Sequence, residues 1–375
     1  MKVCHITSMH DWDDDRIYQR ACLGLARESI KVFLIATKPN ILPTDSPVHF
    51  KWIKARSGIK RRWYSSKECV TKAIALQADI YHFHDPDLLP HILRIKQRLP
   101  KAKIIYDIHE NYAGRFKNWG LPVFLGKYFR AYEKHIISKL DGFTVVSESM
   151  LELFKGTKTS SIIIRNSTDI NRLSDVKIKN IKKNKVLTIY TSGTNSSSRN
   201  CIETVKSLKY INLPDIKFNM LFVGKYAKGI KNDMLDQSKL DKTSDLLNLE
   251  GMLPWEENFK RTAKAYCGCV FYQDNANNRV GIPNRLFEYM YCGIPVVASD
   301  FPELRRIIEE TKCGIIVDSE DPKSIAEGFM YLLTNQDEAN EMGKRGKIAI
   351  ENTYGYHIDL KNTINFYRKL LIKKK

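Results

Sequence analysis

The feature that most constrains this chain is a rhythm that runs twice. Short apolar runs alternate with amphipathic stretches of helical period, the pattern of parallel strands joined by crossover helices. It predicts strands at 3–7, 31–36, 80–84, 103–107, 142–146 and 161–165, with a helix over Asp15–Glu28. A polar, lysine-rich stretch near 175–185 then interrupts the pattern. It restarts with strands at 186–190, 218–223, 269–272, 295–299 and 315–317. The chain of 375 residues is long enough for two cores. We therefore expect an α/β protein with two Rossmann-like, doubly wound domains facing an interdomain cleft. Their expected bounds are 1–175 and 186–354, with a linker at 176–185 and a C-terminal helix at 355–375 packing back on the N-terminal domain.

Several function classes fall away at once. Neither first loop, Ser8-Met9-His10-Asp11 or Ser192-Gly193-Thr194, carries the glycines that let a dinucleotide approach the backbone, and there is no Walker loop. A nicotinamide dehydrogenase is therefore disfavoured, and no cofactor is expected. No run reaches the roughly 20 apolar residues of a membrane span, and Met1–Ile6 lacks a signal peptide's apolar core. The 8 cysteines are scattered, and Cys267-Gly268-Cys269 lacks the two-residue spacer of a metal or redox pair. Reduced thiols and a cytoplasmic address are the expectation.

Ligands of open α/β sheets bind beyond the carboxyl ends of the strands. The most informative such segment is Gly281-Ile282-Pro283-Asn284-Arg285-Leu286-Phe287-Glu288-Tyr289-Met290, followed by Gly293-Ile294-Pro295-Val296-Val297-Ala298. Pro283 suits a helix start and Gly293 its left-handed stop. The positive start of that helix suits a diphosphate, and Glu288, one turn further in, can accept the hydroxyls of a ribose.

This segment resembles glycosyltransferase family 4, retaining enzymes of the two-domain GT-B fold. Glu288 matches the second Glu of the family's Glu-x7-Glu motif, which binds the donor ribose; the first falls on Val280. The resemblance extends to the loop Ser192–Asn200, where Gly193 and Thr194 precede Arg199, the cation placed to neutralise the leaving diphosphate. Arg285 is a second cation, Ile282, Pro283 and Asn284 lead into the donor helix, and Gly251-Met252 resembles a turn whose backbone contacts the base. On the acceptor side, Ile108-His109-Glu110 resembles the segment whose His approaches the transferred sugar, which assigns a catalytic part to His109 beside Arg199. His10, Asp15 and Arg16 resemble an acceptor-recognising entry, and His84 and Glu110 are expected beside them. Asp85 and Asp87 form an Asp-x-Asp, but Pro86 makes Asp85 read as a helix N-cap, and no metal is expected.

The net charge is +19, and residues 51–140 hold 19 lysines and arginines against 7 acidic residues. There Lys60-Arg61-Arg62-Trp63-Tyr64, Arg115–Trp119 and Leu121–Leu140 interleave cations with aromatics, which suits an anionic membrane surface. No nucleic-acid-binding pattern accompanies the charge. The reading is a hexosyltransferase that takes a nucleoside-diphosphate sugar, a UDP-sugar foremost, and passes it with retention to a lipid-linked glycan. Its expected place is the inner face of the cell membrane, in surface polysaccharide assembly. A non-catalytic partner of the same fold, or a sugar-nucleotide epimerase, are the alternatives.

Overall fold

The computed structural model describes residues 1–58, 61–116, 120–167, 169 and 186–372. The linker expected at 176–185 lies outside these residues, as do Lys60 and Trp119. Two compact units emerge, Met1–Asn166 with Tyr356–Lys375, and Ser167–Gly355.

The first unit is built on a parallel sheet of seven strands: β1 Lys2–Ile6, β2 Lys31–Thr37, β3 His49–Ile53, β4 Ile80–Phe83, β5 Lys103–Ile108, β6 Gly142–Val145 and β7 Ser160–Ile163. Their order is β3-β2-β1-β4-β5-β6-β7. The inner strands are buried on both faces because helices cover both, as parallel sheets require; Val3, Cys4 and Ile6 are fully buried. The helix Tyr356–Ile372 belongs to this core, packing Tyr356, Leu360, Ile364, Phe366, Tyr367 and Leu370 with β1 and β2 residues. The helix expected over Asp15–Glu28 opens as π turns over Asp15–Cys22 and tightens into an α-helix at Leu23–Arg27.

The second unit holds β8 Leu187–Asn195, β9 Phe218–Tyr226, β10 Leu247–Glu250, β11 Cys267–Val270, β12 Val296–Ser299 and β13 Gly314–Val317, ordered β10-β9-β8-β11-β12-β13, all parallel. The order reverses between β1 and β4 in one sheet and between β8 and β11 in the other. Crevices of doubly wound sheets open at such points.

One correction bears on the site. Ser192-Gly193-Thr194, expected as loop, continues β8, with its register to β9 kept through Thr194↔Lys225 and Asn195↔Tyr226. Glycine makes this close approach feasible. A Cβ on Gly224 would lie 1.9 Å from the Gly193 carbonyl oxygen, and Gly224 has φ of +134°. β3 and β10, both edge strands, were not expected from the sequence.

Candidate functional site

In the second unit the helix Asn284–Tyr291 links β11 to β12. Pro283 precedes it with extended backbone. Its end is a paired turn: Gly293, at φ +66°, donates to Met290, and Ile294 donates to Tyr289. Leu286, Phe287, Tyr289 and Met290 are buried in the core, which leaves the start of the helix and Glu288 on a cavity of about 610 Å³. Gly268 makes room for this helix, since any Cβ there would meet the Tyr289 ring at 2.3 Å.

The cavity brings together most of the sequence-predicted residues: Gly193, Thr194, Arg199, Met252, Pro283, Asn284, Arg285 and Glu288 line it. Two predicted residues do not. Ile282 is core, 2% exposed, because it packs under the helix start. Gly251 is exposed, and its carbonyl accepts the Gly224 N–H at 3.2 Å.

The sequence reading missed Lys225, Trp255, Asn258 and Tyr272, which also line the cavity. The signal for two of them was present: Val223-Gly224-Lys225 and Phe271-Tyr272 stand at the carboxyl ends of β9 and β11, the strands flanking β8.

Two guanidiniums meet at Tyr272. Arg285 is buried; Nη1 donates to Thr191 Oγ1 at 2.9 Å and to the Ser192 carbonyl at 3.2 Å, and Nη2 donates to the Tyr272 hydroxyl at 3.2 Å. Its Nε has no partner among the described residues. The guanidinium carbons of Arg199 and Arg285 lie 5.0 and 5.1 Å from the Tyr272 ring centroid. Cations, the positive start of a helix and one carboxylate thus converge on a single cavity. That arrangement can hold a polyphosphate at one end and hydroxyls at the other.

The first unit gathers polar groups where β1, β4 and β5 end. Asp107, at the end of β5, is 2% exposed. Arg16 donates to both its oxygens, Nε at 2.8 Å and Nη2 at 2.6 Å; Thr144 donates at 2.7 Å, and His84 Nδ1 lies 2.9 Å away. Burial opposes ionisation, but the Arg16 charge and bonds hold the carboxyl well below the usual carboxylate range. His84 passes the chain on, its Nε2 2.9 Å from His5 Nδ1. With its Nδ1–H donating to the Asp107 carboxylate, the neutral His84 ring accepts from His5 at Nε2. Burial lowers the pKa of both rings.

Two acceptor-side expectations are therefore corrected. His84 is 1% exposed and serves this buried chain instead of lining a surface. Arg16 is spent on Asp107, Asn166 and the Ile164 carbonyl, tying the first helix to β5 and to the end of β7. Asp15 pairs with Arg20, and Asp14 caps the helix by accepting from Arg16 and Ile17, both at 2.9 Å.

His10 and His109 stay at the edge, their rings 5.0 Å apart. His10 Nδ1 lies 2.8 Å from Asp85 Oδ1. Burial alone would lower the His10 pKa, but the bond and charge of Asp85 win and raise it to about 9. Asp85 is correspondingly pulled down to about 2, against its own burial. Its side chain does not cap the turn that follows; it accepts instead from Thr7 Oγ1 at 2.8 Å and from the Ser8 and Met9 N–H groups at 2.5 and 3.1 Å. His109 Nε2 lies 3.3 Å from the Tyr112 hydroxyl, and Glu110 pairs with Arg115.

Residues 16–172 match the family described as Glycosyltransferase Family 4, and residues 171–349 that described as Glycosyl transferases group 1. The chain belongs to glycosyltransferase family 4. The relatives of this family 4 chain are distant. It is 31% identical over 84 residues to spore coat protein SA of Bacillus subtilis, an alignment spanning 22% of each chain. It is 24% identical over 288 residues to an uncharacterized glycosyltransferase of Methanocaldococcus jannaschii, covering 73% of this chain and 69% of that one. Among solved structures, a sucrose-phosphate synthase from Thermosynechococcus elongatus superposes with a TM-score of 0.77 at 14% identity, over 98% of both chains. The Anabaena protein HepE in complex with UDP gives 0.73 at 10% identity, covering 98% of this chain and 100% of that one. The fold is GT-B.

In this family 4 chain the position of the motif's first Glu, Val280, is buried. Among the described residues, His84, Asp107 and His109 form the one cluster with metal-ligating composition. Both Asp107 oxygens already accept from Arg16, whose positive charge opposes a cation there.

Proposed function

We propose that this glycosyltransferase moves a hexosyl unit from a UDP-sugar to a hydroxyl of a lipid-linked glycan with retention, in surface polysaccharide assembly. What carries the reading is the cavity of the Ser167–Gly355 unit, where Arg199, Arg285, the helix start at Asn284 and Glu288 converge. The cations and helix start neutralise the diphosphate as it leaves, and Glu288 accepts from the ribose. The departing diphosphate oxygen takes the acceptor proton on the same face, so the chemistry needs no second carboxylate. Relatives of the same fold bear on the donor: structures of HepE contain UDP or UDP-glucose, and an E. coli trehalose-6-phosphate protein was bound with UDP-2-fluoro glucose.

An anionic membrane is the proposed site of action. Leu121, Val123, Phe124, Tyr128 and Tyr132 are exposed on and just before the helix Val123–Ile137, which also carries Lys127 and Lys134. Among the described residues, no helix is long and apolar enough to cross a membrane.

Glu288→Ala tests the donor reading. A hydroxyl bonded to a charged acceptor contributes about 1.5–3 kcal/mol, so UDP affinity by calorimetry should fall by about 10- to 150-fold. Unchanged affinity in a folded variant would remove Glu288 from the site.

A further inference from the structure

We propose that Tyr272 is the positioning residue for Arg199, the loop cation of the donor site. Its ring seats the Arg199 guanidinium beside Arg285, which Thr191 and the Ser192 carbonyl hold in their own right, so the diphosphate meets two charges already in place. The inference rests on the donor reading above and adds a residue that works through others.

Arg199 stands on a single turn, Ser197–Arg199. Among the described residues no carboxylate pairs with it. Its guanidinium lies instead over the Tyr272 ring. A long side chain on a short loop would otherwise sample many rotamers, and fixing it would cost transition-state stabilisation each turnover.

The frame beneath is shared. The Tyr272 N–H donates to Ser299 Oγ at 2.9 Å, and its carbonyl accepts from Ser319 Oγ at 3.2 Å. Those two serine hydroxyls lie 2.6 Å apart. Ser319 Oγ also accepts from the side chain of Asn200 at 3.1 Å, and Asn200 follows Arg199 in a left-handed conformation at φ +49°. The Gln273 N–H donates to the Ser198 carbonyl at 3.0 Å. Asn200, Ser299 and Ser319 are all buried. Ring and guanidinium are thus fixed to one polar frame joining the ends of β11, β12 and β13 to the loop after β8.

A tyrosine that merely filled space would not face the cavity with a guanidinium carbon 5.0 Å from its ring centroid. The ring's negative face attracts a guanidinium at this distance. A preplaced charge acts most strongly on the charge that grows as the glycosidic bond breaks.

The test is a double-mutant cycle on the full chain, read by UDP calorimetry and by UDP-sugar turnover. Tyr272→Leu should lower kcat by about 5- to 30-fold with KM for the donor within about threefold. In an Arg199→Ala background the same change should cost less than about threefold, because the residue it served is gone. Tyr272→Phe keeps the ring and should retain kcat within about threefold. Tyr272→Met, similar in volume and without a ring, repeats the test if the Leu variant does not fold. Equal losses in both backgrounds, or a Phe variant as impaired as the Leu one, would overturn the role of the ring. Loss of UDP binding in wild type itself would sink the donor reading and this proposal together, an outcome the calorimetry separates from the other two.

Discussion

Replacing Arg16 with methionine removes both hydrogen bonds it makes to a carboxylate that is 2% exposed. Methionine keeps much of the apolar stem, so the change isolates the charge. Asp107 would retain Thr144 and His84, at 2.7 and 2.9 Å, but no full positive charge. Removing one partner of a buried pair costs about 3–5 kcal/mol, a large share of the roughly 5–15 kcal/mol that stabilises a domain. At a urea slope of about 2–3 kcal/mol per M, the midpoint of the first unit should fall by about 1–2.5 M. Tryptophan fluorescence reports mainly on that unit, which holds four of the five tryptophans. The pH dependence has a definite sign. In the wild type Asp107 is held well below its ordinary range, so its contribution is present above an ordinary carboxylate pKa and is lost only in strong acid. Without Arg16, burial pushes the carboxyl up instead, and protonation relieves the buried charge. The deficit should therefore shrink as pH falls from 7 towards 4, and Asp107→Asn in the variant should restore at least about 1 kcal/mol. A loss below about 1 kcal/mol, independent of pH and joined by weaker acceptor binding, would refute the reasoning. Arg16 would then be a recognition residue.

Gly224→Ala should splay β8 from β9, costing more than about 2 kcal/mol and weakening UDP binding by calorimetry, whereas Gly251→Ala, with open space at its Cβ, should stay within about 1 kcal/mol. The raised His10 pKa contributes stability that is complete below about pH 6.5 and lost as pH rises through about 9, so thermal stability should decline there in wild type and less in His10→Gln. The depressed Asp85 pKa acts at the other end, its contribution lost as pH falls below about 4 towards 2. Turnover should survive exhaustive EDTA treatment; loss restored by manganese would reopen the role of Asp85, Asp87 and the Asp107 cluster.

The donor helix was legible because Pro283, Gly293 and the buried Leu286, Phe287 and Met290 lie close together in the chain and obey local rules. The central strands were legible because burial on both faces makes them continuous apolar runs. The edge strands β3 and β10 do not share that signature: His49–Ile53 and Leu247–Glu250 mix charged or polar residues with apolar ones. The end of β8 escaped for a related reason, since Ser192-Gly193-Thr194 has the composition of a loop and is strand by virtue of its pairing with β9 alone. The buried chain from Arg16 through Asp107 and His84 to His5 was illegible as such. Its members are 91, 23 and 79 residues apart in turn, and only the fold brings them together.

The order in which the chain leaves the ribosome gives the helix Tyr356–Ile372 a temporal meaning. Its Tyr367 hydroxyl lies 2.6 Å from His82, Phe366 occupies the space above Gly142, and Asp359 accepts from the Arg165 backbone N–H at 2.8 Å. Every one of those partners is synthesised before the Ser167–Gly355 unit begins, and the helix only after it ends. The unit translated first is thus completed last. Until then its nascent sheet stands with part of its apolar surface uncovered, while the unit translated second already has all of its own residues.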